Sequence, residues 1–285
     1  MTKKFLDLSG RIDPLLAEIL HLISDISVQN GIQFFIVGAT ARDIFFELLH
    51  KIKSRRATLD LDLGIHVAAW SSYESLLKKL TESGHFRRSN IPHRLHYYKE
   101  EYPVDIVPFG EISKADGTIT WPDKERMSTL GFMDAFNDCY QVKFAENSSI
   151  SVPVASPAGL IIMKLISWSE DKSRAEKDAQ DLELIFSHYH NLFENTARLF
   201  DYPEILESVQ FNVQRAGTVL SGKDTSVILK DEKAKDIISK ILHNETRENI
   251  TSQLAIDMMS KNRLNESEYE ERVQQIFDFK TGFYL

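Results

Sequence analysis

The sequence has a single cysteine, Cys139, among its 285 residues. A disulfide framework and a cysteine-built zinc site are therefore excluded. Long hydrophobic runs are also missing. Phe34–Ala39 and Leu160–Met163 are among the longest, far short of the roughly 18 residues a bilayer-spanning helix needs. The basic start, Met1 to Phe5, leads into no apolar stretch, so no signal peptide is expected and a reducing, cytoplasmic setting is the default. Repeats and low-complexity tracts are absent, as are the G-x-S-x-G, H-E-x-x-H and Walker patterns. Basic excess is lacking too: 34 Lys and Arg face 42 Asp and Glu, a net charge of −8. That balance argues against broad binding along a nucleic-acid backbone.

The deficit is unevenly spread. Residues 1–150 hold 18 basic and 20 acidic side chains, and residues 151–285 hold 16 and 22. Most of the acidity thus belongs to the second half, while the first half contains the local basic groups Lys51, Lys53, Arg55, Arg56, Lys78, Lys79, Arg87, Arg88 and Arg94. At 42% hydrophobic and 27% charged, the composition is that of a globular chain long enough for one or two domains.

Periodicity divides the chain. Asp13 as cap and Pro14 at the first helical position predict a helix to residue 29, stopped by Asn30-Gly31. Ile32–Val37 reads as a buried strand, followed by Gly38 and a helix from about Ala39 to Lys51. Strands are expected over Leu59–Val67, His93–Tyr98, Tyr102–Val107, Tyr140–Phe144 and Ser149–Val152, with a helix over Trp70–Ser83. From Ser156 only helical patterns follow. They begin with an apolar helix through Lys164, then Arg174–Tyr189, Pro203–Ala216, Ser226–His243, Arg247–Lys261 and Ser267–Phe277, the last with Ser267 and Glu270 at capping-box spacing. The expected class is α+β: a mixed sheet flanked by helices over residues 1–152, then a helical domain over 153–285.

Three groups can carry chemistry. The first is Val37-Gly38-Ala39-Thr40-Ala41-Arg42-Asp43. Here a glycine ends a strand and small residues open a helix, whose free N–H groups suit a phosphate; a plain tight turn is the alternative. The second is Asp60-Leu61-Asp62. Alternate residues of a strand face one way, so the two carboxylates project together and repel unless a cation lies between them. Oxygen donors of this kind suit Mg²⁺. The third is Asp105, an acid in an otherwise apolar strand, which calls for a partner or a metal; a salt bridge or an exposed edge would also serve. His85, His93 and His96 do not converge as zinc ligands, because residues three apart on a strand face opposite sides. Tyr97, Tyr98 and Tyr102 suit packing more than base stacking.

The order of these groups resembles the polymerase-beta-like nucleotidyltransferase superfamily. There a small-residue turn is followed by an h-D-h-D-h strand and a third carboxylate on a neighbouring strand. Gly38, Asp60, Asp62 and Asp105 fall on those positions. Thr40, Arg42, Asp43 and the Arg56–Asp62 stretch are similar to the variant found in the poly(A) polymerase and CCA-adding branch, with Ala39 departing from the usual Gly or Ser. Further along, Lys164 and the Asp178-x-x-Asp181 pair, with Arg174 and Lys177, resemble the Lys and D-x-x-D motifs of AbiEii-type toxin nucleotidyltransferases. A solvated, charge-rich helix face is the alternative there.

The resemblance implies transfer of a nucleoside monophosphate from a nucleoside triphosphate to an acceptor hydroxyl. Asp60, Asp62 and Asp105 are implied as catalytic residues holding two Mg²⁺ ions. Gly38, Ala39, Thr40, Arg42, Lys164, Asp178 and Asp181 are implied on the nucleotide. The toxin likeness further implies an RNA acceptor, such as a tRNA end, and an antitoxin protein as partner. A small-molecule (antibiotic) or protein hydroxyl remains open as acceptor. So does a non-catalytic module that binds a nucleotide or a partner protein.

Overall fold

The computed structural model describes residues 4–144, 151–259 and 266–285. It divides into two compact units, Met1–Ser156 and Pro157–Leu285.

In the first unit the elements run β1 (Phe5–Asp7), α1 (Pro14–Gln29), β2 (Gln33–Val37), α2 (Gly38–Asp43), β3 (Leu61–His66), α3 (Trp70–Glu82), β4 (Phe86–Arg88), β5 (Arg94–Tyr97), β6 (Tyr102–Phe109), β7 (Thr118–Thr120), β8 (Arg126–Ser128), α4 (Phe132–Asn137), β9 (Tyr140–Lys143) and β10 (Ser151–Val154). Asp13 caps α1 as expected, accepting from the backbone N–H groups of Leu15 and Leu16. The helix after β2 does not stay α-helical to Lys51. It continues from Ile44 to Leu49 as π-helix, so Ile44, Phe45 and Phe46 are all buried.

Eight strands form one mixed sheet in the order β1-β9-β10-β2-β3-β6-β5-β4, and β7 pairs with β8 separately. At its centre β2 runs antiparallel to β3, β3 parallel to β6, and β6 antiparallel to β5. Leu61, Leu63 and Ile65 are fully buried, and the intervening Asp62, Gly64 and His66 point to the opposite side of β3. Gly64 has a packing reason: a Cβ there would run into the Phe35 ring. The short strands β1, β4, β7 and β8 and the helix α4 were not foreseen. At three to six residues each, they are too short to show a period. The described part of the last strand, Ser151–Val154, runs two residues past its expected end; residues 149 and 150 lie outside the described residues.

The second unit is helical throughout: α5 (Pro157–Glu170), α6 (Ala175–His188), α7 (Asn195–Arg198), α8 (Pro203–Ser208), α9 (Val213–Ile228), α10 (Glu232–Glu245), α11 (Gln253–Met258) and α12 (Glu266–Phe283). Several expected boundaries are corrected. Pro203–Ala216 is two helices, because Gln210 and Phe211 take positive φ and Asn212 starts α9 by accepting from the Arg215 N–H. The expected helix from Ser226 starts at Glu232 instead, capped by Asp231. The Arg247–Lys261 pattern contracts to α11, capped by Ser252, with Ser260 and Lys261 outside the described residues. Ser267 lies inside α12, not at its cap. Helices α9 and α12 touch backbone to backbone. A Cβ at Gly222 would collide with the Phe279 carbonyl, and one at Gly282 with the Val219 carbonyl. No described helix is long and apolar enough to cross a membrane.

Candidate active site

The register of the central strands assembles the site. Asp62 stands beside Asp105 across the parallel β3–β6 pair and beside Val37 across the β2–β3 pair. Asp60 lies just ahead of β3. The result is that Asp60, Asp62 and Asp105 each offer a carboxylate oxygen, all within 4.8 Å of one another. Asp105 is 8% exposed, and the other two are half-buried. Carboxylates this close repel one another strongly. Three hard oxygen donors at this spacing fit a divalent cation of the Mg²⁺ kind. Among the described residues no other grouping of three or more His, Cys, Asp and Glu offers this.

Gly38 is tied to the same spot. Its φ is +63°, a left-handed value that L side chains avoid. A Cβ there would also collide with the Asp62 carboxylate. Backbone conformation and the nearness of Asp62 thus both require glycine. Val37, which precedes the helix, makes no side-chain cap, and Gly38 and Ala39 are half-exposed. Thr40 is buried, and its hydroxyl donates to the Asp60 carbonyl at 3.1 Å. Its visible role is thus to fix the backbone of the first carboxylate.

Arg42 is placed differently from a phosphate ligand. It is 2% exposed. Its guanidinium donates to Asp43 at 2.7 Å, to Ser54 Oγ at 3.1 Å, to the Arg56 carbonyl at 3.4 Å and to Thr58 Oγ1 at 3.3 Å. Thr58 in turn donates to Asp43. Together these contacts staple the loop that leads into Asp60. The Asp43 carboxyl is pushed above its ordinary value, chiefly by burial.

Arg94, one of the basic groups of the first half, lies outside the motif pattern. It sits on β5 directly across from Asp105 and grips it with two bonds, Nε to Oδ1 at 2.6 Å and Nη2 to Oδ2 at 2.7 Å. The same Nη2 approaches Asp60 Oδ2 at 3.4 Å. The hydrogen bonds to Asp105 raise the arginine's pKa further. The available signal was the Tyr97–Tyr102 hairpin, whose pairing carries Arg94 to Asp105. His93 Nε2 lies 3.8 Å from Asp105 Oδ2, with its ring tilted against Trp121. Tyr102 feels the cluster as well: burial first, then the charges of Asp60, Asp13, Asp62 and Asp43, push its phenol up to about 12.

Lys164, Asp178 and Asp181 converge within the helical unit. The lysine Nζ is 2.7 Å from Asp178 Oδ1 and 2.8 Å from Asp181 Oδ2, and Ser167 donates to Asp178 Oδ2. Asp178 and Asp181 are 1% and 3% exposed, which argues against the alternative of a solvated face. Helix α6 instead buries its Asp178 and Asp181 side and leaves Lys177 outside. Burial alone would lower the lysine's pKa, but Asp181 and Asp178 outweigh it and hold the pKa above the ordinary value.

No family model matches the chain, and no curated protein matches it. Solved structures do. One is the antibiotic-resistance factor ANT(2'')-Ia, 14% identical over 56% of this chain and 75% of that one, at a TM-score of 0.35. A second is a CCA-adding enzyme in complex with CTP, 16% identical over 88% of this chain and 57% of that one, also at 0.35. A third is the CdnE cyclic dinucleotide synthase of Elizabethkingia meningoseptica, 9% identical over 93% and 91%, at 0.31. The chemistry of this chain is therefore read from its own carboxylates and turn.

Proposed function

We propose that the first unit is a nucleotidyltransferase of the polymerase-beta-like kind, moving a nucleoside monophosphate from a nucleoside triphosphate to an acceptor hydroxyl with release of pyrophosphate. The observation that carries this reading is the convergence of Asp60, Asp62 and Asp105 within 4.8 Å, beside a glycine where a Cβ would collide with the Asp62 carboxylate. A purely structural sheet has no use for three mutually repelling acids at its centre.

The three carboxylates would hold Mg²⁺, which when bound supplies positive charge to the attacking and departing oxygens. The chain's own groups do the positioning. Gly38 and Ala39 present uncapped backbone N–H groups to the β- and γ-phosphates. Thr40 fixes the Asp60 backbone, and the Arg42–Asp43–Thr58 staple holds the approach to it. Positioning and charge neutralisation, not covalent catalysis, are what this site offers.

The Lys164 and Asp178-x-x-Asp181 resemblance supports a placement near the AbiEii-type toxins. With it come an RNA acceptor such as a tRNA end and an antitoxin partner. Lys164 meets two carboxylates at 2.7 and 2.8 Å, so part of its charge goes to neutralising them. Incubation with each triphosphate, Mg²⁺ and either total RNA or an aminoglycoside tests the reading. Pyrophosphate release that needs both an acceptor and Mg²⁺ is expected. Triphosphate binding without release under any pairing would reduce the site to a binding module.

A further inference from the structure

We infer that Arg94 is the built-in counter-ion of the carboxylate cluster, a positioning residue that keeps Asp105 in place and competes with the divalent cation for the same oxygens. The inference rests on reading the cluster as the metal site. It concerns a residue of this chain that the motif pattern does not include.

Arg94 reaches both oxygens of Asp105, at 2.6 and 2.7 Å, in the two-pronged geometry in which arginine binds carboxylates most firmly. It also reaches Asp60 at 3.4 Å. One guanidinium thus touches two of the three acids. The contact is sheltered, with the Asp105 side chain 12% exposed and that of Arg94 25% exposed, so solvent screens it only partly. The cross-strand pairing of Arg94 with Asp105 fixes the guanidinium by backbone register. It is not a long side chain that happens to swing in.

Two consequences follow. Without a metal, Arg94 offsets part of the repulsion among carboxylates held within 4.8 Å, so the site is assembled before any cation arrives. With a metal, Arg94 and the cation are like charges sharing one set of oxygens, and each weakens the other's hold. A residue that merely buttressed the strands would act otherwise. Its removal would splay the carboxylates and weaken cation binding, whereas removal of a competitor tightens it. The sign of the change separates the two.

The test uses Mn²⁺ alone as probe, with the full chain and no nucleotide, and free Mn²⁺ read by electron paramagnetic resonance. Arg94→Met, which keeps bulk without charge, is expected to lower the Mn²⁺ dissociation constant about tenfold or more, the scale on which one nearby charge acts. The metal-free variant should melt below wild type, and its Mn²⁺-induced rise in Tm should be the larger. Arg94→Lys keeps the charge and should bind Mn²⁺ within about threefold of wild type. If Arg94→Met does not fold, Arg94→Gln, which retains a donor for Asp105, takes its place with the same expectation. Unchanged or weaker Mn²⁺ binding in the neutral variants, or a tenfold change in Arg94→Lys, would overturn the inference. Failure of the underlying reading looks different: wild type would then bind no Mn²⁺ that Asp62→Asn removes.

Discussion

At the scale of single residues, Gly38 and Asp62 constrain each other. The glycine's φ of +63° would cost an L side chain about 1–2 kcal/mol, and its Cβ would collide with Asp62. Gly38→Ala should therefore lose at least that much stability in urea unfolding and, by displacing the carboxylate, abolish cation binding. Asp62→Asn should behave in the opposite way. Removing one of three clustered negative charges relieves repulsion, so the metal-free variant should melt no lower than wild type while losing Mn²⁺ binding. A Tm drop of several degrees in Asp62→Asn would show that the acid serves the fold and not a cation. Asp105, an acid in an apolar strand, needs a charged partner or a metal. Here it meets Arg94 and faces the two other carboxylates as well.

At the scale of elements, the pairing of β3 with β6 brings the third acid to the first two. Alternation within β3, legible in the sequence, sets Asp62 on the side opposite the buried Leu61 and Leu63, whereas Asp60, expected on the same strand, lies just ahead of it. The partner strand was not legible in this way. Only the parallel register, Asp62 opposite Asp105, places the third carboxylate, and nothing local to either strand encodes it. Arg94 differs, because the Tyr97–Tyr102 hairpin sets it across from Asp105 through a local turn.

Among the helices, capping chemistry located α1 through Asp13 and Pro14. The breaks at Gln210–Phe211 and before Asp231 were missed because apolar spacing runs on across them. Lys164 joins α5 to α6, and its loss would strand two buried carboxylates. Lys164→Met should destabilise the helical unit by about 3–5 kcal/mol, the usual effect of breaking a buried ion pair from one side, as read by urea unfolding. The sign of its pH dependence follows from a raised lysine pKa. The contribution is fully present below the unfolded value of about 10.4 and is lost only as pH rises toward the folded one. The lysine's own titration should thus add no pH dependence to wild-type stability between pH 6 and pH 9, as read by urea unfolding at the two pH values.

At the scale of the whole molecule, the charge of −8 gains meaning from where the charges go. Asp60, Asp62 and Asp105 are the residues proposed to hold a cation. Arg87 and Arg88, two of the local basic groups of the first half, pair on the surface with Glu101 and Glu74. Little free positive surface is left on β4 for phosphates, so an RNA acceptor would be held by a small footprint near the carboxylates. Raising salt from 50 to 200 mM should then weaken acceptor binding by less than about tenfold, against the thousandfold or more expected of a protein with many phosphate contacts. A steep salt dependence would point to a broad basic face elsewhere.

The central claim is that the three carboxylates perform nucleotide transfer. Its most direct measurement is incubation of purified wild type and Asp62→Ala with α-labelled triphosphates, Mg²⁺ and total RNA, with circular dichroism confirming that both are folded. The account predicts label on a discrete RNA band with wild type and none with Asp62→Ala. Equal labelling by the two proteins would contradict it.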